Sequence, residues 1–224
     1  MRAVVAAVVF DLDGVLIDSE PVWEQVRRQY VADHGGRWQP DSQQRLMGMS
    51  TPEWSSYLAT ELGVDAPPSR IAREVVEEVG QRYEMDLPLM PGAVEAVHRL
   101  AACWPLGLAS SASRPLIDRV LAATGMTSLF EVTVSTEEVR RGKPAPDVYL
   151  TVVKRLAVAP AQAIAVEDSS NGLRSASAAG LLVVAVPHPR YPPAPDALAR
   201  ADLVLRSLDD LRPEALEKLP ARDG

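Results

Sequence analysis

A chain of 224 residues, 47% hydrophobic and 24% charged, is long enough to bury a core in one or two domains. Its net charge of −7 argues against a broad basic surface that neutralises nucleic-acid phosphates, so an anionic ligand needs a local positive site. With one cysteine, Cys103, no internal disulfide can form, and no apolar run reaches the length of a membrane span. The composition leads us to expect a cytoplasmic protein without nucleic-acid or membrane partners. It is expected to be a monomer or weak oligomer, with no heptad run and with Cys103 as an inert core thiol.

Val4, Val5, Val8, Val9 and Phe10 stand among alanines, which predicts a first strand buried on both faces of a parallel sheet. Arg2 ahead of this run superficially resembles a signal peptide, but Asp11 and Asp13 interrupt it. Asp18-Ser19-Glu20-Pro21 is a helix start, closed by Gly35-Gly36, with Val22, Val26 and Tyr30 at helical spacing. Residues 40–47 predict a short helix ended by Gly48, and Ser50-Thr51-Pro52 opens a third that runs to Gly63. A fourth begins at Ser69 and carries the stripe Ile71, Val75, Val79 and Tyr83.

After the proline-punctuated linker from Leu87 to Gly92 the pattern changes. Helices at 93–102, 115–124, 146–156 and 171–179 alternate with strands at 105–110, 131–135, 163–167, 181–186 and 202–205. The proline-rich stretch 187–195 reads as a surface loop. This alternation predicts the α/β class, with a doubly wound, Rossmann-like parallel sheet. The first strand belongs to that sheet, because residues 1–10 alone can bury neither face. The expected organisation is an α/β core of residues 1–17 and 88–224 with an all-helical insertion at 18–87. The insertion leaves beside Asp11 and Asp13, which makes it a candidate lid.

Four strand ends carry polar residues that a core does not need. Asp11 and Asp13 end the first strand, where open α/β sheets place their ligands. Like charges about 4 Å apart repel by roughly 4 kcal/mol at an effective dielectric near 20, so a proton or divalent cation must offset them unless they are ordinary turn residues. Ser110 and Ser111 offer hydroxyls and amides to phosphate oxygens, or cap the helix near Arg114. Lys143, between Gly142 and Pro144, is either surface or a phosphate ligand. Glu167-Asp168 is a second carboxylate pair, although Asp168 or Ser169 alone fits a helix cap. If parallel strands gather these ends, an oxygen-rich, sulfur-free set with an adjacent lysine selects a hard cation and suggests Mg²⁺. His34, His98 and His188 stand apart in sequence, so no zinc cluster is expected.

The motifs Asp11-Leu12-Asp13-Gly14-Val15, Leu108-Ala109-Ser110-Ser111, Lys143-Pro144-Ala145-Pro146-Asp147 and Glu167-Asp168-Ser169-Ser170-Asn171-Gly172 resemble those of the haloacid dehalogenase superfamily. The similarity is to its β-phosphoglucomutase-like and sugar-phosphate phosphatase branch, which carries a helical cap after the first motif. The resemblance implies a phosphatase acting on a small phosphorylated metabolite. Asp11 would be the nucleophile that becomes an aspartyl phosphate, and Asp13 the acid and base. Mg²⁺ would be held by Asp11, the Asp13 carbonyl and Asp168, with Glu167 as a direct or water-mediated partner. Ser110, the Ser111 amide and Lys143 would hold the nonbridging oxygens.

Asp13 argues against dehalogenation, because a halide leaves without a proton. A mutase of this family needs a cap histidine and arginine, and Trp23 and Thr51 stand where these would fall, which favours hydrolysis. Glu20 and Trp23, with Met47 and Gly48, resemble the cap residues of sugar-phosphate phosphatases and are candidate specificity residues. Trp23 and Met47 suit cap core equally, and Arg45 is either an anion contact or a solvated helix residue. A phosphoacceptor protein is the alternative from another class, but receiver domains lack both the second aspartate and a helical insertion.

Overall fold

The computed structural model describes residues 4–47 and 49–220. The chain forms two compact units, Met1–Asp18 with Leu89–Gly224, and Ser19–Pro88.

The first unit is built on six parallel strands: β1 (Ala7–Phe10), β2 (Leu106–Ser110), β3 (Phe130–Ser135), β4 (Ala163–Glu167), β5 (Leu182–Ala185) and β6 (Leu203–Val204). Their order is β3-β2-β1-β4-β5-β6, the doubly wound sheet expected from the alternation. β1 lies at the point where the connections reverse direction, so its carboxyl end opens a crevice between β2 and β4. The strand is shorter than the apolar run, beginning at Ala7. Val4 is 72% exposed, and β4 offers its first partner, Ala163, only at Ala7.

Both faces of the sheet are buried. Val9, Ala109, Ala165 and Val183 pack with α7 (Asp147–Arg155) and α8 (Ser170–Ala178), while Val8, Phe10, Leu108 and Val166 alternate to the opposite side. A Cβ at Gly107 would collide with Val152, so glycine there lets α7 approach β2 closely. Two more helices, α5 (Ala93–Ala101) and α6 (Arg114–Ala123), complete the alternation, and short turns of helix, α9 (Pro195–Leu198) and α10 (Pro213–Leu216), occupy stretches the periodicity left without helices. Cys103 is exposed at the end of α5 rather than in the core. The turn after Leu100 lifts it away from the buried stripe Ala96, Val97 and Leu100.

The chain leaving this unit and the chain returning to it are stitched together. Ile17 pairs antiparallel with Leu89, and the Met90 amide donates to the Leu16 carbonyl at 3.0 Å.

The second unit is all-helical: α1 (Glu20–Asp33), α2 (Ser42–Leu46), α3 (Thr51–Thr60) and α4 (Pro68–Met85). Pro21 sits in the first turn of α1 and Gly35 follows its end at φ +72°, the asymmetry the sequence predicts. Ser50 and Glu53 form a capping box at the start of α3. On α4 the stripe Ile71, Val75, Val79 and Tyr83 is buried against α1 and α3. Among the described residues no helix is long and apolar enough to cross a membrane.

Candidate active site

The register of β1 places the first acid. Phe10 pairs with Val166 of β4, and the Asp11 amide donates to the Val166 carbonyl at 3.0 Å, so Asp11 stands level with Glu167 on the neighbouring strand. Adjacent strands lie about 4.8 Å apart, so both carboxylates enter one crevice. Beyond Asp11 the chain turns sharply: the Gly14 amide donates to the Ile17 carbonyl at 2.7 Å and that of Leu16 to the Leu12 carbonyl at 2.8 Å. Gly14 has φ +80°, and a Cβ there would fall on the Asp168 carboxylate. Glycine is therefore required twice over, by the backbone and by the acid that closes upon it.

Lys143 reaches the same point from the loop after β3. Its Nζ donates to Asp11 Oδ1 at 2.8 Å and to Glu167 Oε1 at 2.6 Å, and its side chain is only 4% exposed. The Lys143–Pro144 peptide is cis. Burial pulls the ammonium towards neutrality, but the Asp11 and Glu167 carboxylates outweigh it and hold the lysine well above its usual range. Lys143 is thus a fixed positive charge. Burial pushes the Asp11 carboxyl up to about 8; Lys143 opposes the rise, and Glu167 and Asp13 add to it.

Glu167 is fully buried and its carboxylate is crowded with donors. Oε1 accepts from Lys143 and from the Tyr149 hydroxyl at 2.7 Å. Oε2 accepts from the amides of Asp168 and Ser169 at 3.2 and 3.3 Å and from the Ser169 hydroxyl at 3.1 Å. Ser169 also caps α8 by accepting from the Gly172 amide at 3.0 Å, so the cap and the acid pair occur together. A Cβ on Gly172 would coincide with the Glu167 carboxylate, so the first turn of α8 is bare where the acid folds over it.

The donor set suits a hard cation. One carboxylate oxygen each from Asp11, Glu167 and Asp168 lie within 4.8 Å of one another, all three residues being buried. Asp168 Oδ1 is buried with no hydrogen-bond partner among the described residues. Burial raises the Asp168 carboxyl well above its usual range, with the Glu167 and Asp11 charges adding to the rise. Three buried acids share one lysine, so burial and mutual repulsion favour their protonated forms, and a bound cation is what would let them ionise together.

The serine loop meets the site on the other side of β1. Ser110, at the end of β2, is fully buried and its hydroxyl accepts from the Ala112 amide at 3.0 Å, while Ser111 is exposed. Neither caps α6; Ser113 occupies that position. Ser135, at the end of β3, donates to the Ala112 carbonyl at 2.6 Å and so holds the loop in shape. Sequence reasoning missed Ser135 and Tyr149. The visible signal for Tyr149 was a hydroxyl on the apolar stripe formed by Val148, Val152 and Val153.

Asp13 is half-buried in the turn after Asp11, where it pairs with Ile17, and the candidate specificity residues lie in the helical unit. Glu20 accepts from Gln43 at 2.6 Å. Trp23 packs edge to face on Trp54 at 5.9 Å, with the Arg27 guanidinium 4.5 Å above its ring. Arg45 is half exposed, reaches the Tyr57 hydroxyl at 3.4 Å and lies 5.4 Å over that ring. Met47 ends α2 in extended backbone and is partly buried, and Gly48 falls outside the described residues.

Comparison with known proteins gives this arrangement a context. Hexitol phosphatase B of Escherichia coli (strain K12) is 33% identical over 220 residues, which are 92% of this chain and 94% of that protein. A bifunctional riboflavin kinase/FMN phosphatase of Arabidopsis thaliana is 29% identical over 225 residues, covering 100% of this chain but only 59% of that longer protein. The crystal structure of CbbY from Rhodobacter sphaeroides in complex with phosphate superposes with a TM-score of 0.84 at 26% identity, covering 96% of this chain and 100% of that one. The haloacid dehalogenase-like hydrolase family matches residues 5–180, so with its acids, lysine and serines gathered at the switch point of a doubly wound sheet, the chain belongs to that family.

Proposed function

We propose that the protein is a Mg²⁺-dependent phosphatase that transfers the phosphoryl group of a small phosphorylated metabolite, a sugar phosphate, first to Asp11 and then to water. The observation that carries this reading is the Lys143 ammonium bridging Asp11 and Glu167, with a second aspartate two residues after the first. The similarity to hexitol phosphatase B supports the sugar-phosphate class.

The Asp11 carboxylate attacks phosphorus, the bond to the leaving oxygen breaks, and Asp13 gives that oxygen a proton. Asp13 then takes a proton from water, which attacks the aspartyl phosphate and frees both Asp11 and inorganic phosphate. Lys143, the Ser110 hydroxyl and the Ser111 amide balance charge on the nonbridging oxygens. Asp11, the Asp13 carbonyl and Asp168 would hold Mg²⁺. Glu167, its oxygens already carrying donors, would meet it through water. The bound cation supplies positive charge that lets a carboxylate approach a phosphate dianion.

Two results follow from this chemistry. Asp13→Asn should slow hydrolysis of alkyl and sugar phosphates about 10²–10⁴-fold, yet slow p-nitrophenyl phosphate far less, because that phenolate leaves without a proton. Equal losses on both would remove Asp13 from the acid role. In scanning calorimetry, saturating Mg²⁺ should raise the wild-type Tm by roughly 5–10 °C at a hundredfold excess over Kd. Asp168→Asn should lose most of that increment while its metal-free Tm stays equal or rises, since a buried acid with one unpartnered oxygen is replaced by a neutral amide.

Phosphate release from a panel of sugar and polyol phosphates, with and without Mg²⁺, tests the reading as a whole. Interconversion of glucose 1- and 6-phosphates without release would favour a mutase, and a slowly decaying phosphoprotein without turnover would favour a phosphoacceptor. Trp23, packed on Trp54 beneath Arg27, supplies no base for a mutase step.

A further inference from the structure

We propose that Tyr149 is a positioning residue of this site. Through its hydroxyl it fixes the Glu167 carboxylate, and through Glu167 it sets where the Lys143 ammonium stands. The inference rests on the phosphatase reading and extends it to a residue outside the motif acids, serines and lysine.

Tyr149 lies on α7 between Val148 and Val152 and is fully buried. Phenylalanine would fill the same volume, so packing explains the ring but not the oxygen. The hydroxyl donates at 2.7 Å to Glu167 Oε1, the same oxygen that accepts from Lys143 at 2.6 Å. The Lys143 Nζ lies 5.2 Å from the centroid of the Tyr149 ring and 2.8 Å from Asp11 Oδ1. One side chain therefore touches the lysine twice, directly by its ring face and indirectly by sharing an acceptor.

The other Glu167 oxygen is already held by Ser169 and two backbone amides. A carboxylate offers about four acceptor sites, and five donors share them. Without the phenol, Oε1 keeps only Lys143, and the carboxylate can pivot about its anchored Oε2 or turn Oε1 to a nearby cation. Either movement takes the ammonium away from the line between Glu167 and Asp11. Lys143 faces charge that develops in the transition state, so its misplacement should tell on turnover more than on substrate binding.

Tyr149→Phe is the test, with Val153→Ala on the same helix as a packing control. Sugar-phosphate hydrolysis and Mg²⁺-dependent binding of orthovanadate, a mimic of the five-coordinate phosphoryl group, are measured for each. For Tyr149→Phe we expect kcat to fall about tenfold, KM to change less than twofold and orthovanadate to bind about tenfold more weakly. Val153→Ala should lower Tm with kcat within twofold of wild type. The inference is overturned if Tyr149→Phe keeps kcat and orthovanadate affinity within twofold, or if Val153→Ala reproduces its losses. A wild type that binds orthovanadate but hydrolyses no phosphomonoester sinks the phosphatase reading alone, and the binding comparison still decides the role of Tyr149. A wild type that does neither overturns both.

Discussion

Replacing Asp11 by asparagine should abolish turnover, with a loss of roughly 10⁴-fold or more, because the amide cannot form the covalent intermediate and no neighbour can take its place. Lys143 and Glu167 would remain, but they hold and balance charge and do not attack. The stability of the variant separates this outcome from misfolding. Asp11 ionises at about 8 in the folded protein against an ordinary 3.8, chiefly because it is buried. The folded state thus holds the proton more tightly than the unfolded chain, and the contribution to stability is full below pH 4 and declines as pH rises towards 8. An amide does not ionise. Metal-free Asp11→Asn should therefore show a flatter stability profile between pH 4 and 8 and should be at least as stable as wild type at pH 8. Urea titrations at both ends of that window, beside a phosphate-release assay, check the claim. Residual turnover above about one per cent would move the nucleophile elsewhere.

The second large effect is expected at Gly172, where no charge changes. Alanine is the better helix former, and in an exposed helix the exchange would stabilise by about 1 kcal/mol. Here the added Cβ would occupy the position of the Glu167 carboxylate. The acid would have to swing away, stranding Lys143 and the Tyr149 hydroxyl, and breaking a buried ion pair costs about 3–5 kcal/mol. The broken ion pair outweighs the gain in helix propensity. Gly172→Ala should be about 2–4 kcal/mol less stable than wild type and should lose at least about 10²-fold in kcat. Gly125→Ala is a useful comparison, because that glycine has φ +69° with open space around its Cβ position and bears only the backbone penalty, about 1–2 kcal/mol. Equal effects at the two positions would show that the Glu167 carboxylate tolerates displacement.

Much of this architecture was legible in the sequence, and the reasons are physical. Strands buried on both faces read as unbroken apolar runs, so β1, β2, β4 and β5 were visible, and the stripe on α4 announced a helix packed on one side. Asp11, Lys143 and Glu167 each had an innocent explanation alone. Only the inference that parallel strands bring their carboxyl ends together made them one cluster, and their contacts at 2.6–2.8 Å are what that geometry requires. Features set by tertiary partners stayed hidden. Ser135 reads as the end of a strand until the Ala112 carbonyl is placed beside it. Cys103 reads as core because its neighbours are apolar, whereas the turn after α5 carries it outside. β6 shrinks to two residues because β5 offers it only Val184 and Ala185 as partners.

The place of β1 in the sheet has a consequence for biosynthesis. Its partners on either side, β2 and β4, leave the ribosome about 100 and 150 residues after it, so at 5–20 residues per second the apolar strand waits roughly 5–20 s for its first partner and 8–30 s for its second. During that interval Ala7–Phe10 is a sticky tag on a nascent polypeptide, and the acid cluster at its end stays incomplete until β4 delivers Glu167. Holdase chaperones that shield short hydrophobic segments should therefore influence how much soluble enzyme a cell accumulates, and catalytic competence should emerge late in refolding, once the middle of the sheet has closed.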